Sequence, residues 1–164
     1  MSTPKRPIYI ISYTSPLFPA HWSLWIPSSY NSLTKTPGTS GKRIHVTGDA
    51  LNGFTHEFSR NYDIDDDSRA KTIHFISWVE AVNVVDGDDA GDPVEDVVAT
   101  DKMEEWALKV EAPGRSLRGV EEGLKSRVQV RNCQSWLREF VGKLVEMGIF
   151  DEDALEKVDA VPKN

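Results

Sequence analysis

The apolar residues of this chain follow two different rhythms, one before position 80 and another after position 100, and that division limits the folds open to it. Residues 8–13 (Ile-Tyr-Ile-Ile-Ser-Tyr) are β-branched and aromatic, bounded by Pro7 and by Ser15-Pro16, which is a strand pattern. Residues 21–26 (His-Trp-Ser-Leu-Trp-Ile) read as a buried strand closed by Pro27. Residues 28–41 are mostly Ser, Thr, Asn, Gly and Pro and read as a hairpin with an enlarged tip. Residues 43–47 alternate, with Ile44 and Val46 on one face and Arg43, His45 and Thr47 on the other. Residues 54–62 and 72–79 complete the strand candidates, and the acidic tracts 63–67 and 86–96 read as solvated loops.

Beyond position 100 the spacing becomes helical. Met103, Trp106, Ala107 and Val110 recur at helical intervals, which predicts a helix over 101–110 with Thr100 as N-cap. Residues 116–126 give a weaker helix broken by Gly119 and Gly123. Residues 132–147 carry Cys133, Trp136, Leu137, Phe140, Val141, Leu144 and Val145 as one apolar stripe, ending at Gly148 as C-cap. Strands followed by helices predict an α+β domain: an antiparallel sheet of four or five strands packed against C-terminal helices. With 164 residues the chain suits one domain, strand-rich over 7–80, with an acidic loop at 86–99 and a helical part at 100–158.

Composition removes several function classes. Hydrophobic residues make up 39% and charged residues 27%, so a packed core is expected. No apolar run approaches the roughly 20 residues needed to cross a bilayer, and the polar start resembles no secretory leader, so the expected address is cytoplasmic. A net charge of −7 without a basic stripe argues against nucleic acid as partner. The 86–91 tract lacks calcium-loop chemistry, with Ala90 at a ligand position and Val97 where a bidentate Glu is required.

The single cysteine, Cys133, follows Asn132, a good N-cap residue. A helix start supplies free N–H groups and the positive end of the dipole, and a nearby imidazole would further favour the thiolate. Cysteine is nevertheless among the most buried residue types, and Cys133 shares a stripe with Trp136, Leu137 and Phe140, so position alone favours core filler. His21 and His45, each beside apolar strand residues, also fit structural histidines. His56 and His74 are expected to be structural, solvent-facing strand residues.

Resemblance changes the balance. His21-Trp22-Ser23-Leu24-Trp25-Ile26 resembles the His-Trp-apolar strand of the lecithin:retinol acyltransferase-like and NlpC-like permuted papain-like proteins. Asn132-Cys133-Gln134-Ser135-Trp136-Leu137 resembles their Asn-Cys-Glu-His-Phe-Val helix start, and the order, histidines first and cysteine last, is also theirs. The resemblance implies a permuted papain-like fold, Cys133 as nucleophile, His21 as general base and acid, and His45 as the residue orienting His21. It implies ping-pong acyl transfer or hydrolysis of an ester, amide, thioester or isopeptide, on a small-molecule or peptide acyl substrate. Asn132, Gln134 and Trp22 are supporting positions, and Asp49 or Asn52 stands as an alternative to His45. Gln134-Ser135 departs from the usual Glu-His pair, and the loop between the histidines is longer than in those proteins. No cofactor or metal is expected; zinc on His21, His45 and Cys133 lacks a recognised spacing. Two other classes remain open, a papain-like binding protein and an acid-base cyclase or isomerase without a covalent adduct.

Overall fold

The computed structural model describes residues 4–16, 19–49, 51–87, 92–114 and 132–164. Strands β1 (Lys5–Tyr13), β2 (His21–Pro27), β5 (Ser40–Asp49), β6 (Gly53–Asp63), β7 (Lys71–Glu80) and β8 (Val94–Asp96) form one sheet in the order β7-β1-β2-β5-β6-β8, with every neighbouring pair antiparallel. Two short strands, β3 (Tyr30–Asn31) and β4 (Thr36–Pro37), pair within the β2–β5 connection, at the enlarged tip expected from composition. The helices are α1 (Lys102–Lys109), α2 (Cys133–Glu146) and α3 (Ala154–Asp159). The fold is therefore α+β, as its two rhythms predict, but the sheet has six strands rather than four or five. The sixth lies inside the tract read as an acidic loop, because β8 pairs with residues 58–60 of β6 through its backbone and needs no apolar pattern of its own. The helix expected over 116–126 lies outside the described residues.

Strand alternation sends side chains to two faces. One face packs against the helices: Ile8 and Ile10 of β1, Trp22, Leu24 and Ile26 of β2, and Ile44 and Val46 of β5 share a core with the α2 stripe of Cys133, Trp136, Leu137, Phe140, Val141 and Leu144. Each such large side chain contributes about 1.5–3 kcal/mol by leaving water. The other face carries a second cluster of Tyr9, Ile11, Tyr13, Trp25 and Tyr62. Helix α1 is fastened by charge as well as by packing. Lys42, an inward-facing strand residue that is 1% exposed, reaches Asp101 at 2.6 Å and Glu104 at 2.8 Å, and Arg60 meets Glu104 at 3.0 Å. Asp101, not Thr100, caps this helix by accepting the Glu104 N–H. Helix α2 ends as expected, with Gly148 at a φ of 74° that favours glycine.

Candidate functional site

Helix α2 begins in a reciprocal cap. The Asn132 side chain accepts from the N–H groups of Gln134 and Ser135, and the Ser135 hydroxyl accepts the Asn132 N–H. Cys133 thereby becomes the first helical residue, and its sulfur meets backbone groups of Trp22, Gln134 and Cys133 itself, which stabilise negative charge there. Burial opposes them and is the larger effect, so the thiol pKa is pushed up rather than down.

The register explains why the sulfur meets β2. Strands β2 and β5 pair from Leu24/Ile44 to Pro27/Gly41 and no further, although β2 runs back to His21 and β5 on to Asp49. Beyond Leu24 the two strands part, while β1 still lines the other side of β2. Strand N–H groups lie along the sheet, so the Trp22 N–H places the sulfur beside β2 where β5 has left it. Helix α2 contacts both parted strands.

The same parting holds the imidazoles. His21 Nε2 and His45 Nδ1 are 2.8 Å apart, Ser23 Oγ lies 3.3 Å from the first and 3.2 Å from the second, and His45 Nε2 is 2.9 Å from Glu57 Oε1. The expected His21 and His45 pair is thus brought together, with Ser23 and Glu57 added. The expected gathering of both rings around the sulfur meets an obstacle. His21, Ser23 and Trp25 point away from the helices, the His21 ring lies 5.5 Å from the Tyr13 ring, and its nitrogen contacts run to His45 and Ser23. Sulfur and rings share one end of β2 but approach it from different sides, since Trp22 and His21 are consecutive and consecutive side chains alternate.

Burial lowers the His21 pKa to about 3, and the charges of His45, Arg43 and Arg69 push the same way. His45 is also lowered, because burial outweighs its bond to Glu57. Glu57, accepting from His45, is lowered to about 2. Two neutral imidazoles therefore stand beside the Glu57 carboxylate at neutral pH, with Glu95 within 4.8 Å.

The remaining expected positions have other partners. Gln134 donates through Nε2 to the carbonyls of Ala20 (2.7 Å) and Lys163 (3.0 Å), and Trp22 donates through Nε1 to that of Pro162 at 3.1 Å. Asp49 and Asn52 bond each other in the β5–β6 turn, so His45 is the group that meets His21. His56 does not face solvent: its ring meets the Val110 carbonyl at 2.8 Å and stacks edgewise on Trp136, because period two puts it on the face of Phe54 and Phe58. His74 bonds Thr72 on its own strand at 2.8 Å.

A cavity of about 350 Å³ lies beside the start of α2, lined by Trp22, Asn132, Gln134, Arg138 and Lys163 among others. His45 with Glu57 and Glu95 offers three ligand atoms within 4.8 Å of one another, donor types that suit a divalent cation. Arg43 stands 3.5 Å from Glu95 and Ser59 donates to the same carboxylate at 2.7 Å, so that anion already has its cation and the set fits a metal poorly. No described helix is long and apolar enough to cross a membrane.

The fold and this cluster define an α+β domain with two imidazoles and a carboxylate hydrogen-bonded in series on an antiparallel sheet. The chain belongs to the family described as a family of unknown function (DUF6540), whose model matches residues 8–151. No curated protein and no solved structure matches it.

Proposed function

We propose that the chain is a thiol-dependent hydrolase or acyltransferase of the permuted papain-like kind, with Cys133 as nucleophile and His21 as base and then acid. One observation carries the reading: the sulfur lies at a capped helix start, against the backbone of Trp22, the next residue along β2 from an imidazole anchored by His45. The order of the three residues along the chain, as in the papain-like proteins that the sequence resembles, supports it too.

The resting state has a neutral thiol and a neutral ring, so the proton moves during attack rather than before it. His21 takes the thiol proton as the sulfur bonds to the substrate carbonyl carbon. The N–H of Cys133 faces the developing oxyanion, and His21 returns the proton to the leaving group as its bond to carbon breaks. Water or a second nucleophile then releases the acyl group with the same proton traffic. Attack requires the His21 ring to turn toward the sulfur as substrate enters, since apo contacts of this kind tighten only in the complex.

A second reading, proton transfer without a covalent adduct, is favoured by the His21 contacts, which run to His45 and Ser23 on the face away from α2. A panel of activated esters and thioesters separates the two. The first reading expects an acyl adduct on Cys133 by intact mass, absent from Cys133→Ser, and with its formation at least 100-fold slower in His21→Asn. Turnover that survives Cys133→Ser and dies in His21→Asn selects the second reading. Neither adduct nor turnover across the panel leaves a binding protein, and turnover unaffected by either change removes both residues from the chemistry.

A further inference from the structure

We propose that Glu57 sets the proton positions of both imidazoles, so that His21 presents a bare Nδ1 as its base; Glu57 is then a positioning residue acting through His45. The inference rests on His21 being the base of the proposed site. Glu57 stands directly opposite His45 in the β5–β6 register, so both side chains share the face away from α2. An ionised carboxylate only accepts. Glu57 Oε1, 2.9 Å from His45 Nε2, therefore requires the proton of that ring on Nε2. A neutral imidazole holds one proton, which leaves His45 Nδ1 as an acceptor.

The nitrogen facing that acceptor is His21 Nε2 at 2.8 Å, and two lone pairs do not face each other at that distance. His21 Nε2 consequently carries the hydrogen and donates to His45, directly or through the Ser23 hydroxyl between them. His21 has then spent its only proton, and Nδ1 is left with a free lone pair. Without Glu57 the chain can run the other way: His45 Nδ1–H would donate to His21 Nε2, Nδ1 of His21 would carry the proton, and no base would remain.

The other charged groups around the pair do not make this choice. Arg43 on β5 donates to Tyr13 and Ser59 and lies against Glu95 of β8. Glu95 bonds the Glu57 side chain and helps hold Glu57 low rather than meeting an imidazole of the pair, and Arg69 holds Asp67 and covers the Tyr13 ring. Among the described residues, Glu57 is the carboxylate hydrogen-bonded to an imidazole of this pair.

The experiment is long-range proton–nitrogen correlation on the ¹⁵N-labelled protein at pH 7, which reads each ring nitrogen as protonated or bare. The expected pattern is Nε2–H with bare Nδ1 on both His21 and His45. In Glu57→Gln, whose amide can donate as well as accept, His21 should become a mixture of tautomers, and Glu57→Asp should restore the single form. Adduct formation in Glu57→Gln should fall about tenfold in its maximal rate, with apparent substrate affinity and melting temperature little changed. A proton on His21 Nδ1 in the native protein overturns the inference, as does a Glu57→Gln variant with an unaltered tautomer pattern and rate. Failure of the thiol reading shows itself elsewhere, in an adduct that persists in Cys133→Ser, and leaves the nitrogen pattern to stand or fall alone.

Discussion

His21 illustrates how a single side chain ties the site to stability. Its pKa is lowered from 6.5 to about 3 in the fold, chiefly by burial, so between those values the unfolded chain binds a proton that the folded one refuses. Stability is then fully present above pH 6.5 and is lost as pH falls toward 3. His45 shifts in the same direction and adds to the effect. Chemical denaturation at pH 7 and pH 4.5 should show that His21→Gln recovers about 2 kcal/mol of the acid loss of the native protein; an unchanged acid limb would mean that His21 is not held neutral. At this scale the sequence was legible for where His21 and His45 sit on strands and where Asn132 and Cys133 open a helix, because a helix cap and a strand pattern are local. Glu57 was hidden because its role depends on strand register. The signal was nonetheless there: a β5–β6 hairpin turning near Leu51 pairs position 45 with position 57.

Among the elements, α2 is the one most plainly written in the sequence, since seven apolar residues at helical spacing, a capping Asn132 and a terminating Gly148 agree with one another. Helix α1 was legible in its stripe but not in its anchorage. Lys42 sits one residue before the alternation that marks its strand; period two places it on the inward face of Ile44 and Val46, but its two carboxylate partners cannot be seen from spacing. Replacing Lys42 with Met should cost about 3 kcal/mol or more, because the Asp101 carboxylate, 1% exposed, would lose the Lys42 ammonium, and Glu104, 0% exposed, would keep only Arg60. Urea melts of Lys42→Met and of the Lys42→Met/Asp101→Asn/Glu104→Gln triple variant check it: the triple should recover part of the loss, and a harmless single change would show the ion cluster to be idle. The strand β8 escaped notice for a different reason. Only Val94 is apolar in it, so sheet pairing and not hydrophobicity defines it.

For the whole molecule, the succession of strands then helices was enough to give the α+β layout, because each rhythm allows one kind of buried face. The rhythm says nothing about where two strands cease to pair. That missing detail decides the site, since the separation of β2 from β5 lets a helix tip reach the edge of β2 while the rings stay on the far face. Segments distant in sequence close this end. The carbonyls of Pro162 and Lys163 accept from Ser12, Trp22, Gln134 and the Ala20 N–H, tying the last described residues to the neighbours of both Cys133 and His21.

That fastening has a practical corollary for anyone producing the protein. An affinity handle or fluorescent fusion appended after Asn164 emerges next to the cavity beside the start of α2, which Lys163 helps to line, whereas one placed ahead of β1 leaves from the other end of the strand that contacts the tail. Matched preparations carrying the same handle at either terminus should differ at least threefold in the rate at which a bulky maleimide labels the cysteine, the carboxy-terminal version being slower. Equal labelling would show that the tail opens freely and imposes no orientation on a fused partner.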